Sequence, residues 1–238
     1  MTTHGSVFTL GAGEQGQLGR KVLERRKIHG THPEKIVLGT RSRKAVIIGA
    51  GNYHSFAVDD RGVVWGWGLN TMGQTGTGIT PNAEVPLPSQ VIGLSKKELD
   101  GETVIEIAGG EHHTLFLTSD GKVYACGRSD GGQLGLPQDD EAFKGRKYPD
   151  FFPEPLQVTF PDPRDRVVHI SAGTHNNIAI TEGGALYAWG EGNQGELGIG
   201  EDDAATPTVV VRKEGGSWSA LAAYCGGQHT IGLFRKKN

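Results

Sequence analysis

Apolar residues in this chain come in short alternating runs that end on glycine. His54-Ser55-Phe56-Ala57-Val58 and Thr114-Leu115-Phe116-Leu117 alternate with the period of a half-buried strand. Asp60-Arg61-Gly62 and Ser119-Asp120-Gly121 follow them as tight-turn signals. A second apolar run with an aromatic comes next, so each pair reads as a hairpin.

The hairpin recurs along the chain. Residues 6–19 (SVFTLGAGEQGQLG), 63–76 (VVWGWGLNTMGQTG), 122–135 (KVYACGRSDGGQLG) and 185–198 (ALYAWGEGNQGELG) align with Gly11, Gly68, Gly127 and Gly190 in one column. Ahead of the last three such segments, and again at the end of the chain, stands a Gly-x-x-His turn or its variant: Gly51/His54, Gly110/His113, Gly173/Asn176 and Gly226/His229. Further upstream lies a proline followed three residues on by an aliphatic: Pro33/Ile36, Pro88/Val91, Pro155/Val158 and Pro207/Val210. This order predicts one domain over residues 1–238. It holds repeats at 33–76, 88–135 and 155–198, flanked by half-repeats at 6–19 and 207–234. Each unit has room for about four short strands, the signature of tandem propeller blades. The expected fold is all-β: a β-propeller of four-stranded antiparallel blades, about four repeats long. Half-units at both ends predict a blade assembled from the two termini, which would close otherwise free strand edges.

Gly11-Ala12-Gly13-Glu14-Gln15-Gly16 is a literal G-x-G-x-x-G after a β-type run, as in a dinucleotide site. A dinucleotide fingerprint occurs once, at the first turn of a parallel sheet. Here it is one of four copies, and only those at 11–16 and 190–195 keep the literal spacing. The glycines read as turn residues, and 20–27 as a charged excursion between strands.

Composition agrees. The 38 glycines among 238 residues are about twice ordinary usage. With 36% apolar residues and only 11 prolines, they indicate many short strands rather than disorder. Net charge is −3, yet residues 20–44 collect nine basic side chains against Glu24 and Glu34. Cys126 and Cys225 form no C-x-x-C pair and suggest neither a disulfide framework nor a zinc site, which fits a reducing compartment. His54, His113 and His229 share one repeat column and so belong to separate blades. No metal or cofactor is expected from them. The chain shows no secretory-signal pattern and no apolar run near the 18 residues or so of a membrane span, so no membrane partner is expected. No P-loop, G-x-S-x-G or H-E-x-x-H is present, so covalent catalysis is not expected. Trp65, Trp67, Trp189 and Trp218 read mostly as strand residues of the core.

Three segments carry a family resemblance: GNYHSFAV with WGLNTMGQTG, GEHHTLFL with CGRSDGGQLG, and GGQHTI. They resemble the regulator of chromosome condensation family over nearly the whole chain. The resemblance implies a seven-bladed ring, of which this chain looks like the C-terminal part. The favoured result is an open arc whose edges want a missing half, a second copy or another chain; the alternative is closure as a four-bladed ring, for which a blade shaped for seven-fold symmetry has the wrong wedge angle. It also implies part of a guanine-nucleotide exchange factor for the small GTPase Ran, acting without covalent chemistry through the turns between blades. Arg20, His54, Glu111, His112, His113, Gln228 and His229 are then the GTPase-contact candidates. For His54 and His229, holding the turn against a neighbouring blade is the plainer reading. In the family a wedge hairpin on an earlier blade carries much of the exchange action. That blade has no counterpart in this sequence, so full exchange by this chain alone is not expected. Chromatin binding would fall to Arg25, Arg26, Lys27, Arg41, Arg43 and Lys44, meeting DNA or histones, although a solvated loop is the plainer reading of that run. The implied location is the nucleus, on chromatin, with the cytoplasm as an alternative. The competing function is a non-catalytic propeller scaffold.

Overall fold

Antiparallel pairing organises the described residues into five sheets. The computed structural model describes residues 1–21, 30–78, 83–201 and 203–238. The strands are β1 (Phe8–Thr9), β2 (Glu34–Lys35), β3 (Ala45–Ala50), β4 (His54–Asp59), β5 (Val64–Leu69), β6 (Glu84–Gln90), β7 (Val104–Gly109) and β8 (His113–Thr118). They continue as β9 (Val123–Arg128), β10 (Phe151–Val158), β11 (Val167–Ala172), β12 (Asn176–Thr181), β13 (Leu186–Glu191), β14 (Asp203–Val211), β15 (Trp218–Cys225) and β16 (Thr230–Lys236). Three blades have the orders β3-β4-β5-β6, β7-β8-β9-β10 and β11-β12-β13-β14, while β1-β2 and β15-β16 are separate two-stranded sheets. The innermost strands pack side by side, β3 on β7, β7 on β11 and β11 on β15.

The repeat survives as register. His54 pairs with Gly68, His113 with Gly127 and Asn176 with Gly190. Strands β8 and β12 are buried along their whole length, because a neighbouring blade covers each face. That is why these segments are apolar where a one-sided strand would alternate.

Two expectations need correction. Pro88, Pro155 and Pro207 lie in β6, β10 and β14, the outermost strands, which pair with the strand before the glycine loop. The loop therefore returns to the edge of its own sheet and does not cross to the next blade. Blades in space run one strand out of phase with repeats 33–76, 88–135 and 155–198. An outer edge is where a strand tolerates a residue without an N–H. The half-units also do not join within one chain: β15-β16 supplies an inner pair and β1-β2 an outer pair, in separate sheets.

The signature glycine of each loop has a common backbone. Gly11, Gly68, Gly127 and Gly190 have φ of 110°, 109°, 106° and 102°. A Cβ on Gly127 would stand 2.3 Å from the His112 carbonyl oxygen. One conformation in four copies, with no α-helix among the described residues, answers the dinucleotide question in favour of turns. The expected excursion at 20–27 falls mostly on residues 22–29, outside the described residues.

Of the tryptophans, Trp65, Trp67 and Trp189 are core residues. Trp67 and Trp189 donate from Nε1 to the carbonyls of Gln17 and Gln133, at 2.9 and 3.2 Å, each tying a strand to the preceding glycine loop. Trp218 departs from the expectation. It opens β15 and is exposed.

Candidate functional site

The second strand of each blade begins from the same turn. In Gly51–His54, Gly110–His113, Gly173–Asn176 and Gly226–His229, the glycine N–H donates to the carbonyl three residues on, at 2.9, 3.0, 2.7 and 2.8 Å. A Cβ on Gly51, Gly110 or Gly226 would lie 2.2 Å from the ring Cε1 of its histidine, so glycine is what lets the ring fold back over the turn. Successive turns are stitched together: Asn52 N–H donates to Gly110 O at 3.0 Å, Glu111 N–H to Thr174 O at 3.1 Å, and Thr174 N–H to Gly227 O at 3.3 Å. Four turns thus form one continuous rim.

Two of the three pattern histidines do not face outward. His54 and His113 are each 1% exposed. His54 Nε2 lies 2.8 Å from Thr114 Oγ1, and His113 Nε2 lies 2.8 Å from Asn177 Oδ1, both across a blade junction. Burial pushes their pKa values down to about 3 for His54, with His113 and His112 adding repulsion, and to about 4 for His113. Both are neutral near pH 7. Direct partner contact by His54 and His113 is therefore corrected to a positioning role, because the ring that fastens the blades cannot also meet a ligand. Asn176, where the motif departs from histidine, is buried in the same column, its Nδ2 3.5 Å from Cys225 Sγ.

The rim surface comes from the residues between glycine and histidine. Tyr53 and Gln228 are exposed, and Glu111 and His112 are half-buried. Glu111 Oε2 lies 3.3 Å from His175 Nε2 and 3.8 Å from His112 Nδ1. Burial holds the His112 pKa below its ordinary value; Glu111 opposes this, and Arg128 and His175 reinforce it. Beside them Arg128 forks onto Asp130 at 2.5 and 2.9 Å, and Gln133 Nε2 donates to Glu191 at 3.2 Å. His175, Arg128, Asp130 and Glu191 did not stand out in the sequence. His175 had a signal: it occupies the column of His112, one residue before the pattern position. His229 is exposed at the end of the arc.

The basic candidates divide. Arg20 is largely buried, facing Glu34 at 3.3 Å and the Thr9 carbonyl, so it is not a free face residue. Arg43 is corrected as well: it pairs with buried Asp59 and lies over the Trp65 ring, 5.4 Å from its centroid. Arg41 and Lys44 are exposed. Arg25, Arg26 and Lys27 lie outside the described residues.

The arrangement suits recognition through charge-assisted hydrogen bonds. Burial raises the pKa of both thiols, that of Cys225 to about 11, which leaves them protonated and poorly nucleophilic. Among the described residues no three His, Cys, Asp or Glu side chains are grouped to hold a metal ion.

Comparison with known proteins matches this geometry to a family. Residues 1–232 match the model of the RCC1-like domain. The chain is 38% identical over 244 residues to Protein pim1 of Schizosaccharomyces pombe, covering 97% of this chain and 42% of that protein. It is 32% identical over 240 residues to the guanine nucleotide exchange factor SRM1 of Saccharomyces cerevisiae, covering 95% and 46%. It spans about half the length of such curated relatives. Its backbone superposes on the crystal structure of Prp20p from Saccharomyces cerevisiae with a TM-score of 0.82 at 31% identity, over 98% of this chain and 52% of that one. With its blades, its stitched turns and a match over nearly its full length, the chain belongs to the RCC1-like domain family.

Proposed function

We propose that this chain forms part of a guanine-nucleotide exchange factor for a Ran-type GTPase, binding it through the rim of Gly-x-x-His turns. The observation that carries the reading is the polar cluster Glu111, His112, His175 and Arg128, set on turns fastened to one another by backbone hydrogen bonds. The names of the relatives support it: SRM1 is a guanine nucleotide exchange factor, and Prp20p is described together with its binding to Gsp1p and histones. Exchange requires only that the factor hold the nucleotide-free GTPase more tightly than the loaded one; linkage then weakens nucleotide binding by the same factor. A rigid rim does this without making or breaking bonds. The nuclear, chromatin-bound location belongs to the same proposal.

The test loads Ran with a fluorescent nucleotide and follows its release on adding this chain. Release above the spontaneous rate, reduced about tenfold or more by Glu111→Ala, supports the reading. Binding without release favours an incomplete factor or a scaffold, the latter a second reading prompted by histone binding in Prp20p and by exposed Arg41 and Lys44. No binding removes the GTPase.

A further inference from the structure

Glu111 stands between two histidines that belong to different blades. We propose that partner binding at this part of the rim is proton-gated: Glu111 accepts a donor group of a cationic partner surface while His112 and His175 are neutral, and turns to the two rings once they are protonated. The inference rests on the GTPase reading above and deepens it. Every residue of the gate sits on the complete blades β7-β8-β9-β10 and β11-β12-β13-β14, away from both chain ends.

The turns do not require these side chains to hold together. After the glycine, the four turns align Asn52, Glu111, Thr174 and Gly227; before the histidine position they align Tyr53, His112, His175 and Gln228. The stitches between turns are backbone bonds, made alike by the N–H groups of Asn52, Glu111 and Thr174. Within these two columns, a carboxylate and two imidazoles occur at two neighbouring turns and nowhere else. Their presence there answers to something other than the fold.

The geometry leaves a place for the proton. Glu111 Oε2 lies 3.3 Å from His175 Nε2, across the blade junction, and 3.8 Å from His112 Nδ1. Among the described residues His112 Nδ1 has no hydrogen-bond partner, although the atom is buried. In the neutral ring this nitrogen is unused. A proton on it gains Glu111 as an acceptor, in a charge-assisted bond stronger than a neutral one. That bond withdraws the carboxylate from a partner.

The charged groups around the trio set the sign. They are Arg128, which ends β9, Asp130 just beyond it, and Glu191, which ends β13. Arg128 is committed to its fork onto Asp130 and is also drawn by Glu191 and Glu111. His54 and His113, next to the trio, are buried and neutral near pH 7. With His112 and His175 neutral, three carboxylates face one guanidinium, and the patch suits a lysine or arginine. With both rings protonated the patch carries no net charge. Burial holds the His112 pKa below its ordinary value; Glu111 opposes this, and Arg128 and His175 add to it. Imidazole is the side chain that changes charge between pH 5 and 8. Partner and proton thus compete for one carboxylate, and by linkage each weakens the binding of the other.

The test measures the Kd of nucleotide-free Ran for the full chain at pH 7.5 and 5.5, with circular dichroism confirming the fold at both. Binding about fivefold or more weaker at pH 5.5 is expected. In His112→Gln/His175→Gln the two Kd values are expected to agree within about twofold, whatever the affinity at pH 7.5. Glutamine already stands in this column at Gln228, so the turn accommodates it. A Kd indifferent to pH, or a pH dependence that the double variant keeps in full, overturns the gate and leaves the GTPase reading standing. No binding at either pH overturns both. A second measurement serves if the double variant fails to fold: in the free chain, the His112 ring signal in nuclear magnetic resonance is expected to titrate at lower pH in Glu111→Gln than in the unaltered chain. An unmoved midpoint overturns the gate.

Discussion

His54 donates from Nε2 to Thr114 Oγ1 across 2.8 Å, and Thr114 passes its only hydroxyl proton on to the Gln74 carbonyl at 2.7 Å. The direction follows from the count of protons: a hydroxyl committed to a carbonyl has only lone pairs left for the ring. His113, Asn177 and Gln133 repeat the relay one blade on, the Asn177 amide donating to Gln133 O at 2.9 Å. The two junctions between complete blades are thereby fastened by chains of buried hydrogen bonds running from a turn, through a strand, to a glycine loop.

Thr114→Val keeps the volume and removes the link. It leaves a buried N–H at one end and a buried carbonyl at the other, with an expected cost of about 3 kcal/mol. Ser55→Ala removes the equivalent hydroxyl at the open end of the arc, where only one bond is made, and should cost about 1 kcal/mol. Urea midpoints at equal m-values measure both. Equal losses would remove the relay from the account of stability.

Acid should destabilise the protein well before its carboxylates titrate. The folded-state pKa values of His54 and His113 lie near 3 and 4, below the ordinary histidine value of 6.5. Between those limits the unfolded chain binds protons that the folded one refuses. Stability is therefore full above about pH 6.5 and declines as pH falls toward 4. His169 has the opposite sign. Its Nδ1 lies 2.8 Å from Glu106, which raises its pKa against partial burial, and its Nε2 lies 2.8 Å from the Ala223 carbonyl. That contact, bridging β7, β11 and β15, contributes fully below pH 6.5 and fades as pH rises through the raised value. Denaturation at pH 5, 6, 7 and 8 should show a net loss on the acid side. His169→Gln should steepen that loss and flatten the decline on the alkaline side.

Asp59 anchors the hairpin between β4 and β5. Its carboxylate accepts from Trp65 Nε1 and from the Arg61 and Val63 N–H groups, each at 3.0 Å, and pairs with Arg43. Burial opposes its charge, but the bonds from Trp65, Val63, Arg43 and Arg61 prevail and hold its pKa below the usual carboxylate range. Asp59→Ala strands an arginine and an indole N–H together, and should cost about 3–5 kcal/mol by thermal or chemical unfolding. Arg43→Met, which keeps contact with the Trp65 ring, should cost less.

The blade was legible because its signals are local. The short apolar runs of β4 and β8, the turns at Asp60-Gly62 and Ser119-Gly121, and the recurring glycine columns each depend on neighbours a few residues apart, although β8 is buried on both faces and does not alternate. The phase of the blades was not. Pro88, Pro155 and Pro207 look the same in sequence whether they begin one sheet or finish another, and pairing alone assigns them to the outer edge. The rim was half legible. Glu111, His112 and Gln228 stood out beside a motif histidine, whereas His175 was hidden by the change to Asn176.

Periodicity and glycine spacing by themselves determined that this chain is a tandem of four-stranded β units with a shared turn, since strand period and backbone conformation are local properties. Which side chains turn inward was decided only in three dimensions. His54 and His113 carry the most conspicuous chemistry of the motif and spend it on neighbouring blades. Glu111, His175 and Arg128, distant in sequence, meet at the surface instead. Burial is a property of the neighbour that arrives some 60 residues later, and no local pattern reports it.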